Sequence, residues 1–179
     1  ELFRHMGVTI DRDIAYCLYA GLVTDTGNFR WGSPRMHELA AQLQRHDLNT
    51  RQIAMDLMDS ISAEDLKIMG AVLADLHTYR EKGLTVSVIA VPAEALARMS
   101  QTAVEAIIDY ARALQGSDVG VVFKQQAPRY WSVSLRSTKI DVSQVAAALG
   151  GGGHIPAAGY SATGNLDQIT RDLLQALPE

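Results

Sequence analysis

Gly150-Gly-Gly-Gly-His154-Ile-Pro-Ala-Ala-Gly159 is the stretch from which the rest of the chain is read. A glycine loses more backbone freedom on folding than any other residue, so four in succession are kept only where the backbone must be bare of side chains. Three readings compete. A helix from Val142 to Leu149 takes one glycine, or two, as its C-terminal cap. A flexible linker is a Ser/Gly/Pro mixture, whereas this run ends abruptly in His-Ile-Pro-Ala-Ala. The third reading is a nest of backbone N–H groups for an anion, with His154 as a side-chain donor at its rim. The nest is the reading adopted here.

Working outward, Arg129-Tyr-Trp-Ser-Val-Ser-Leu-Arg-Ser137 reads as a strand that ends in Arg136, Ser137 and, two residues on, Lys139. Arg136 falls on the face opposite Leu135. A strand edge blunted by charge explains such a pattern. A guanidinium fork for a phosphate or carboxylate explains it as well. One loop thus offers Arg136, Ser137 and Lys139. The other offers the amides of Gly151, Gly152 and Gly153 and the imidazole of His154. Both suit the same anion.

The first third of the chain reads as helical: Asp11–Thr24 with Thr9 or Asp11 as N-cap, a helix to about His46 with Ser33 as N-cap and Pro34 at its first position, and Arg51–Met58. A helix over Ala63–Tyr79 follows, capped by Ser62 and stopped by Gly83. Its apolar stripe is Leu66, Met69, Val72, Leu73 and Leu76. The domain boundary is expected in or just after it. From Leu84 the period changes. Leu84–Val91, Asp118–Lys124 and Arg129–Ser137 read as strands, with a hairpin containing Pro128 between the last two. Between them lie a short helix, Ala93–Met99, and a longer one, Val104–Leu114, capped by Thr102 with Ile107, Ile108 and Ala111 inward. A short element reaches Tyr160, and Asn165 caps a last helix, Leu166–Leu177. Strands interleaved with helices predict an α/β or α+β second half.

At 179 residues the chain holds one ordinary domain or two small ones. With 47% hydrophobic residues, 20% charged and a net charge of −4, it has the composition of a globular domain and not that of a protein coating long nucleic acid. A short nucleotide in a local basic pocket remains compatible. The lone Cys17, in an apolar helical run, is expected in the core, and a reducing cytoplasm is the expected compartment. No apolar run approaches the ~20 residues of a membrane span, and no signal peptide opens the chain. Glu1 in place of Met predicts a piece of a longer protein.

Asp25, in Thr24-Asp-Thr-Gly27, follows an apolar element and is flanked by two threonines. A lone turn aspartate is usually a backbone cap, but this one is placed to project from an element end. If it holds Mn²⁺ or Mg²⁺, the other ligands lie outside this chain, because no second carboxylate or paired histidine stands at ligand spacing. His5, His37, His46 and His77 read as solvated helix-surface residues. Arg30, between Phe29 and Trp31, packs on the rings or contacts a ligand.

Gly21-Leu-Val-Thr-Asp-Thr-Gly-Asn-Phe-Arg30 resembles the fourth motif of the DHH phosphoesterase superfamily. Ser134-Leu-Arg-Ser137 together with the glycine–histidine stretch resembles the signature of the type-one DHH-associated domain. Their order is similar to that of the nano-RNase branch, the oligoribonuclease/pAp phosphatases, over essentially the whole chain. The resemblance implies residues 1–60 as the C-terminal end of a DHH domain, 61–82 as a connecting helix, and 83–179 as a small α/β DHH-associated domain with a mixed sheet. It implies a Mn²⁺-dependent (alternatively Mg²⁺-dependent) phosphoesterase acting on short RNA or on 3′-phosphoadenosine 5′-phosphate. Asp25 would be the metal ligand of the fourth motif and, with His154, catalytic; Arg30, Arg136, Ser137, Lys139 and Gly151–His154 would contact substrate. No Asp-His-His triplet occurs in the sequence, so the N-terminal DHH half is expected elsewhere and the chain alone is expected to be inactive.

Four alternatives stand beside this. They are a cyclic-dinucleotide phosphodiesterase, a single-strand exonuclease, a polyphosphatase of the same scaffold, and a non-catalytic nucleic-acid-binding module resembling the C-terminal domain of alanyl-tRNA synthetases. An interaction domain whose glycine run is only a turn is the bland reading. Expected partners are a short RNA or nucleotide phosphate, the N-terminal DHH domain and a second copy of the chain, but no membrane.

Overall fold

The computed structural model describes residues 2–30, 32–58 and 61–179. It divides into two compact units, Glu1–Ser60 and Ile61–Glu179.

The first unit is helical: α1 (Leu2–His5), α2 (Arg12–Asp25), α3 (Arg35–Gln44) and α4 (Thr50–Met58). Asp11 caps α2 by accepting the Ile14 N–H at 2.9 Å. Ala15, Tyr19 and Val23, four residues apart, form the buried stripe of α2 and meet Ala40, Leu43 and Ile53. Cys17 falls on the other side of this helix and is exposed, so the expectation of a core thiol is corrected. The α3 helix starts one residue later than expected: Pro34, not Ser33, is its N-cap residue, and no side chain caps it. Asp25, expected in the turn, is the last residue of α2.

The second unit begins with α5 (Ala63–Ala74), followed by β1 (His77–Glu81) and β2 (Leu84–Val91). The continuous helix expected to Tyr79, and the connecting helix over 61–82, are therefore corrected. Lys82 and Gly83, with φ of 49° and 74°, make a two-residue turn between Glu81 and Leu84, which pair. Positive φ at both central residues suits the twist of a hairpin. A glycine closes a helix or a hairpin equally well, and the pairing of β1 with β2 decides between them. Leu66, expected in the buried stripe, is 60% exposed, while Met69 and Val72 are buried.

Next come α6 (Ala93–Arg98), α7 (Gln101–Ala113), β3 (Val119–Ala127), β4 (Tyr130–Arg136), α8 (Val142–Ala148), β5 (Gly152–His154), β6 (Ala157–Thr163) and α9 (Leu166–Gln175). Ser100, not Thr102, caps α7, by accepting the Ala103 N–H. The six strands form one mixed sheet in the order β1-β2-β3-β4-β6-β5, and only β2 and β3 run parallel, joined through α6 and α7. The β3–β4 turn is only Pro128 and Arg129, the latter at φ 59°, with a register shift between Gln125 and Ala127.

Alternation along the strands sorts the core into two layers. Val119, Val121, Phe123, Trp131, Val133, Leu135, Ala158 and Tyr160 face α8 and α9. Ile89, Val91 and Val122 face α5, α6 and α7. At Gly120 the backbone of α7 lies close: a Cβ there would stand 2.8 Å from the Ala111 carbonyl carbon. On that same face, β4, β6 and β5 carry Ser132, Ser134, Arg136, Ala157, Gly159, Ser161, Gly152 and His154, all exposed or half-buried. The candidate site residues of this unit gather on the polar half of this sheet face.

Candidate functional site

The glycine run turns out to have two tasks. The Gly150 N–H donates to the Ala147 carbonyl at 3.1 Å, and the Gly151 N–H to the Ala146 carbonyl at 2.8 Å. With Gly150 at φ 81°, this pair of bonds is the Schellman closure of α8. Both amides are spent on the helix end, so of the three amides expected to face an anion, those of Gly151, Gly152 and Gly153, the first is already engaged. From Gly152 the chain becomes the edge strand β5, paired with β6. A Cβ on Gly153 would stand 2.5 Å from the Ala158 Cα, and one on Gly159 would stand 2.7 Å from the Val133 oxygen. A Cβ on Gly151 would fall onto the Gly159 oxygen. Gly152 alone of these meets nothing within 4 Å. Backbone crowding therefore requires Gly151, Gly153 and Gly159, while Gly152 faces open space.

The two loops that the sequence offers to one anion are brought together. The Ser137 N–H donates to the Pro156 carbonyl at 3.1 Å, and the Val142 N–H to the Ile155 carbonyl at 3.0 Å. Arg136 pairs with Ala157, and Ala157 with His154. Directly paired residues share a face, so Arg136 and His154 stand on the same side of the sheet, two strands or roughly 10 Å apart.

Ser137 is 3% exposed and its hydroxyl is fully engaged. It donates to the Asp118 carbonyl at 2.7 Å and accepts the N–H groups of Lys139 and Ile140, each at 3.0 Å. One donor and two lone pairs are the whole capacity of a hydroxyl, so this side chain builds the loop. Lys139 Nζ lies 2.9 Å from Asp118 Oδ1. That bond, together with the Thr85 N–H, holds the Asp118 carboxyl below its ordinary pKa. Arg136 differs from both. It is half-buried, its guanidinium donates only to the Leu135 carbonyl at 3.0 Å, and among the described residues it has no ion pair. Burial lowers its proton affinity, the Asp109 charge opposes this, and Arg112 adds to it.

Lys124 is the residue the sequence reading missed. Two residues beyond Val122 on β3, it shares the face of Arg136 and pairs with Ser132. Burial lowers its pKa; Glu105 opposes the shift and Arg136 adds to it. The signal available in the sequence was a lysine closing the apolar run Val119–Phe123. Along β4 and β6, on strands next to these cations, lies an open groove of about 470 Å³ lined by Ser132, Ser134, Gly150, Gly151, Gly159 and Ser161 among others.

In the first unit, Asp25 is exposed at the end of α2. Its neighbours are bound to the helix: Thr24 Oγ1 donates to the Ala20 and Gly21 carbonyls at 3.1 Å, and Thr26 Oγ1 to the Leu22 carbonyl at 2.6 Å. The chain then takes three left-handed residues in succession, Gly27, Asn28 and Phe29, at φ 53°, 59° and 63°. Left-handed non-glycine residues cost roughly 1–2 kcal/mol each, and such strain gathers at functional turns. The Phe29 ring stacks on His37 at 5.4 Å and tilts against Tyr19 at 6.4 Å. Arg30 is exposed, and Trp31, its other expected neighbour, lies outside the described residues. No group of three His, Cys, Asp or Glu among the described residues can hold a metal ion. Asp25 offers one carboxylate and no more, so the residues present do not make a manganese site by themselves.

The second unit is thus a small mixed-sheet module whose polar half-face carries Arg136 and Lys124, neither with an ion pair among the described residues. The DHHA1 domain family matches residues 81–179, and the chain belongs to it. The bifunctional oligoribonuclease and PAP phosphatase NrnA of Thermus thermophilus is 31% identical over 183 residues, 100% of this chain and 54% of that protein. A Streptococcus mutans protein named "Probable bifunctional oligoribonuclease and PAP phosphatase NrnA" is 28% identical over 170 residues, 90% of this chain and 54% of its own length. The chain spans about half the length of these curated relatives. The crystal structure of an exopolyphosphatase-related protein from Bacteroides fragilis superposes with a TM-score of 0.82 at 22% identity, over 93% of this chain and 50% of that one. That likeness is one of fold. No helix among the described residues is long and apolar enough to cross a membrane.

Proposed function

We propose that this chain is the phosphate-holding half of a phosphoesterase that hydrolyses short oligoribonucleotides from an end, 3′-phosphoadenosine 5′-phosphate, or both. The observation that carries the reading is Arg136: half-buried, without an ion pair among the described residues, and facing the same open surface as His154 and Gly152. A desolvated guanidinium gains most from a bidentate anion such as phosphate. The imidazole of His154 at the hairpin end would donate to the same group and orient it. The names of the curated relatives support the nucleotide class.

Asp25 would supply one oxygen to a Mn²⁺ or Mg²⁺ ion whose remaining ligands belong to residues outside this chain. When bound, such an ion supplies Lewis acidity and an activated water. What this chain's own residues do is bind and position the phosphate. Residues 1–179 alone are therefore expected to bind 3′-phosphoadenosine 5′-phosphate and to leave it intact in the presence of Mn²⁺. Calorimetric titration of the chain and of Arg136→Ala, with chromatography of the recovered ligand, tests both parts. Equal affinity of the two proteins would defeat the assignment of Arg136, and robust turnover by the chain would defeat the half-enzyme reading.

A further inference from the structure

We infer that the ligand surface does not end at Arg136 but runs along β4 to a second phosphate position at Lys124, with the ring of Tyr130 as its outer wall. The ligand that fills it is a single-stranded nucleotide chain longer than one nucleotide. This rests on the reading of Arg136 as a phosphate ligand and extends the same face.

Lys124 is not where a lysine is ordinarily kept. Lysines blunt exposed sheet edges, but β3 is an inner strand, paired with β2 on one side and β4 on the other. Half-buried there, the ammonium forgoes part of its hydration, which an ion pair usually repays. Among the described residues it has no ion pair. Glu105 of α7 is felt electrostatically without forming a bridge, and Arg136 adds like charge. A second anion is what this geometry lacks.

The floor between the two cations admits a chain. Lys124 pairs with Ser132, four residues or roughly 14 Å along β4 from Arg136. The intervening surface is Ser132, Ser134, Gly159 and Ser161, small residues that let a backbone lie close and offer hydroxyls to it. The groove that these residues line together with Gly150 and Gly151, about 470 Å³, suits a nucleotide-sized group. At the far end Tyr130 shares the face of Ser132, since residues two apart on a strand point the same way. Its hydroxyl donates to Ser161 Oγ at 3.2 Å, which fixes the ring over β6, and the residue is 43% exposed. A fixed, half-exposed aromatic ring two residues along β4 from the partner of an unpaired lysine offers what single strands use, a ring for a base and a cation for a phosphate.

The test uses residues 1–179 with three ligands: AMP, 3′-phosphoadenosine 5′-phosphate and a 5′-phosphorylated RNA trimer. Lys124→Gln and Tyr130→Ala are each expected to weaken the trimer about tenfold while leaving the two mononucleotides within about twofold. Lys124→Gln should also reduce the dependence of trimer affinity on log[salt] by about one phosphate contact, and Lys124→Arg should restore both affinity and slope. A merely structural lysine would not move the salt slope. Trimer binding unchanged by either variant, or all three ligands weakened alike, would overturn the inference. Arg136→Ala serves as the separate control: if it weakens none of the ligands, the underlying site reading fails, whatever Lys124 does.

Discussion

Arg136 and His154 lie eighteen positions apart in the chain, yet both pair with neighbours in one short ladder, Arg136 to Ala157 and Ala157 to His154. The connection between them is α8 and its glycine closure, and the hairpin tip is held to the Ser137 loop by two backbone hydrogen bonds. A guanidinium and an imidazole are thereby presented on one face by strands that cannot slide independently.

Arg136→Lys tests whether geometry or charge matters at this position. An ammonium keeps the charge but loses the planar fork, so ligand affinity is expected to fall about tenfold for lysine and up to about a hundredfold for alanine. Thermal unfolding should change little, because the guanidinium makes only one bond to its own strand. Calorimetric titration with 3′-phosphoadenosine 5′-phosphate beside a melting curve separates the two effects.

The glycines are predicted to be unequal. Gly152→Ala adds a methyl into open space and should alter stability by less than about 1 kcal/mol. Gly153→Ala drives its Cβ into Ala158 at a φ of 147°, so a loss of about 2 kcal/mol or more is expected. Denaturant unfolding of the two variants, measured in parallel, checks the contrast. Equal stabilities would mean that the crowding between β5 and β6 relaxes freely.

Asn28 and Phe29 carry the strain beside Asp25. Asn28→Ala is expected to destabilise by about 1 kcal/mol, since alanine lacks the local hydrogen bonding that eases asparagine into the left-handed region. Asn28→Gly is expected to be neutral or stabilising. Chemical denaturation monitored at the helical signal distinguishes them.

Asp65 predicts an acid-sensitive joint. It accepts the Ser100 N–H at 2.8 Å and hydroxyl groups from Ser62 and Ser100 at 2.9 and 3.0 Å, tying the start of α5 to the start of α7. The Ser100 N–H is the chief reason its carboxyl titrates below the ordinary value of 3.8, with burial opposing. A depressed pKa means that the folded state favours the ionised form. The stabilisation is present above the ordinary carboxylate range and is lost as pH falls through it. Asp65→Asn should therefore melt earlier at pH 7 and show a shallower fall in melting temperature between pH 5 and pH 3.

Much of the second unit was legible because its signals are local. Alternation at Leu84–Val91 and Tyr130–Arg136, the Asn165 cap and the helical period after it need only neighbours in sequence to be read. The glycine run was half legible: its cap role is local, whereas the crowding that demands Gly151, Gly153 and Gly159 exists only once β5 lies on β6 and β6 on β4. The strand His77–Glu81 has polar residues on both faces and no period of its own, so in sequence it only prolongs the helical pattern before it. Little in the local sequence marks Lys124, because its environment is set by β4 and α7, or the saturation of the Ser137 hydroxyl, because its partners lie nineteen residues upstream as well as two and three downstream.

By itself the sequence determined which residues are available to chemistry: the Asp25 turn, Arg136, and the glycine–histidine stretch with its helix cap. Those follow from residue type and short-range backbone preference, which need no partner. Only the tertiary structure decided which of them share a surface and which are spent on the fold. It set Arg136 and His154 on one face, brought Lys124 to the same face, and committed the Ser137 hydroxyl and the Gly151 amide to the fold. Strand register and burial are properties of residues far apart in the chain, and no local pattern encodes the pairing that sets them.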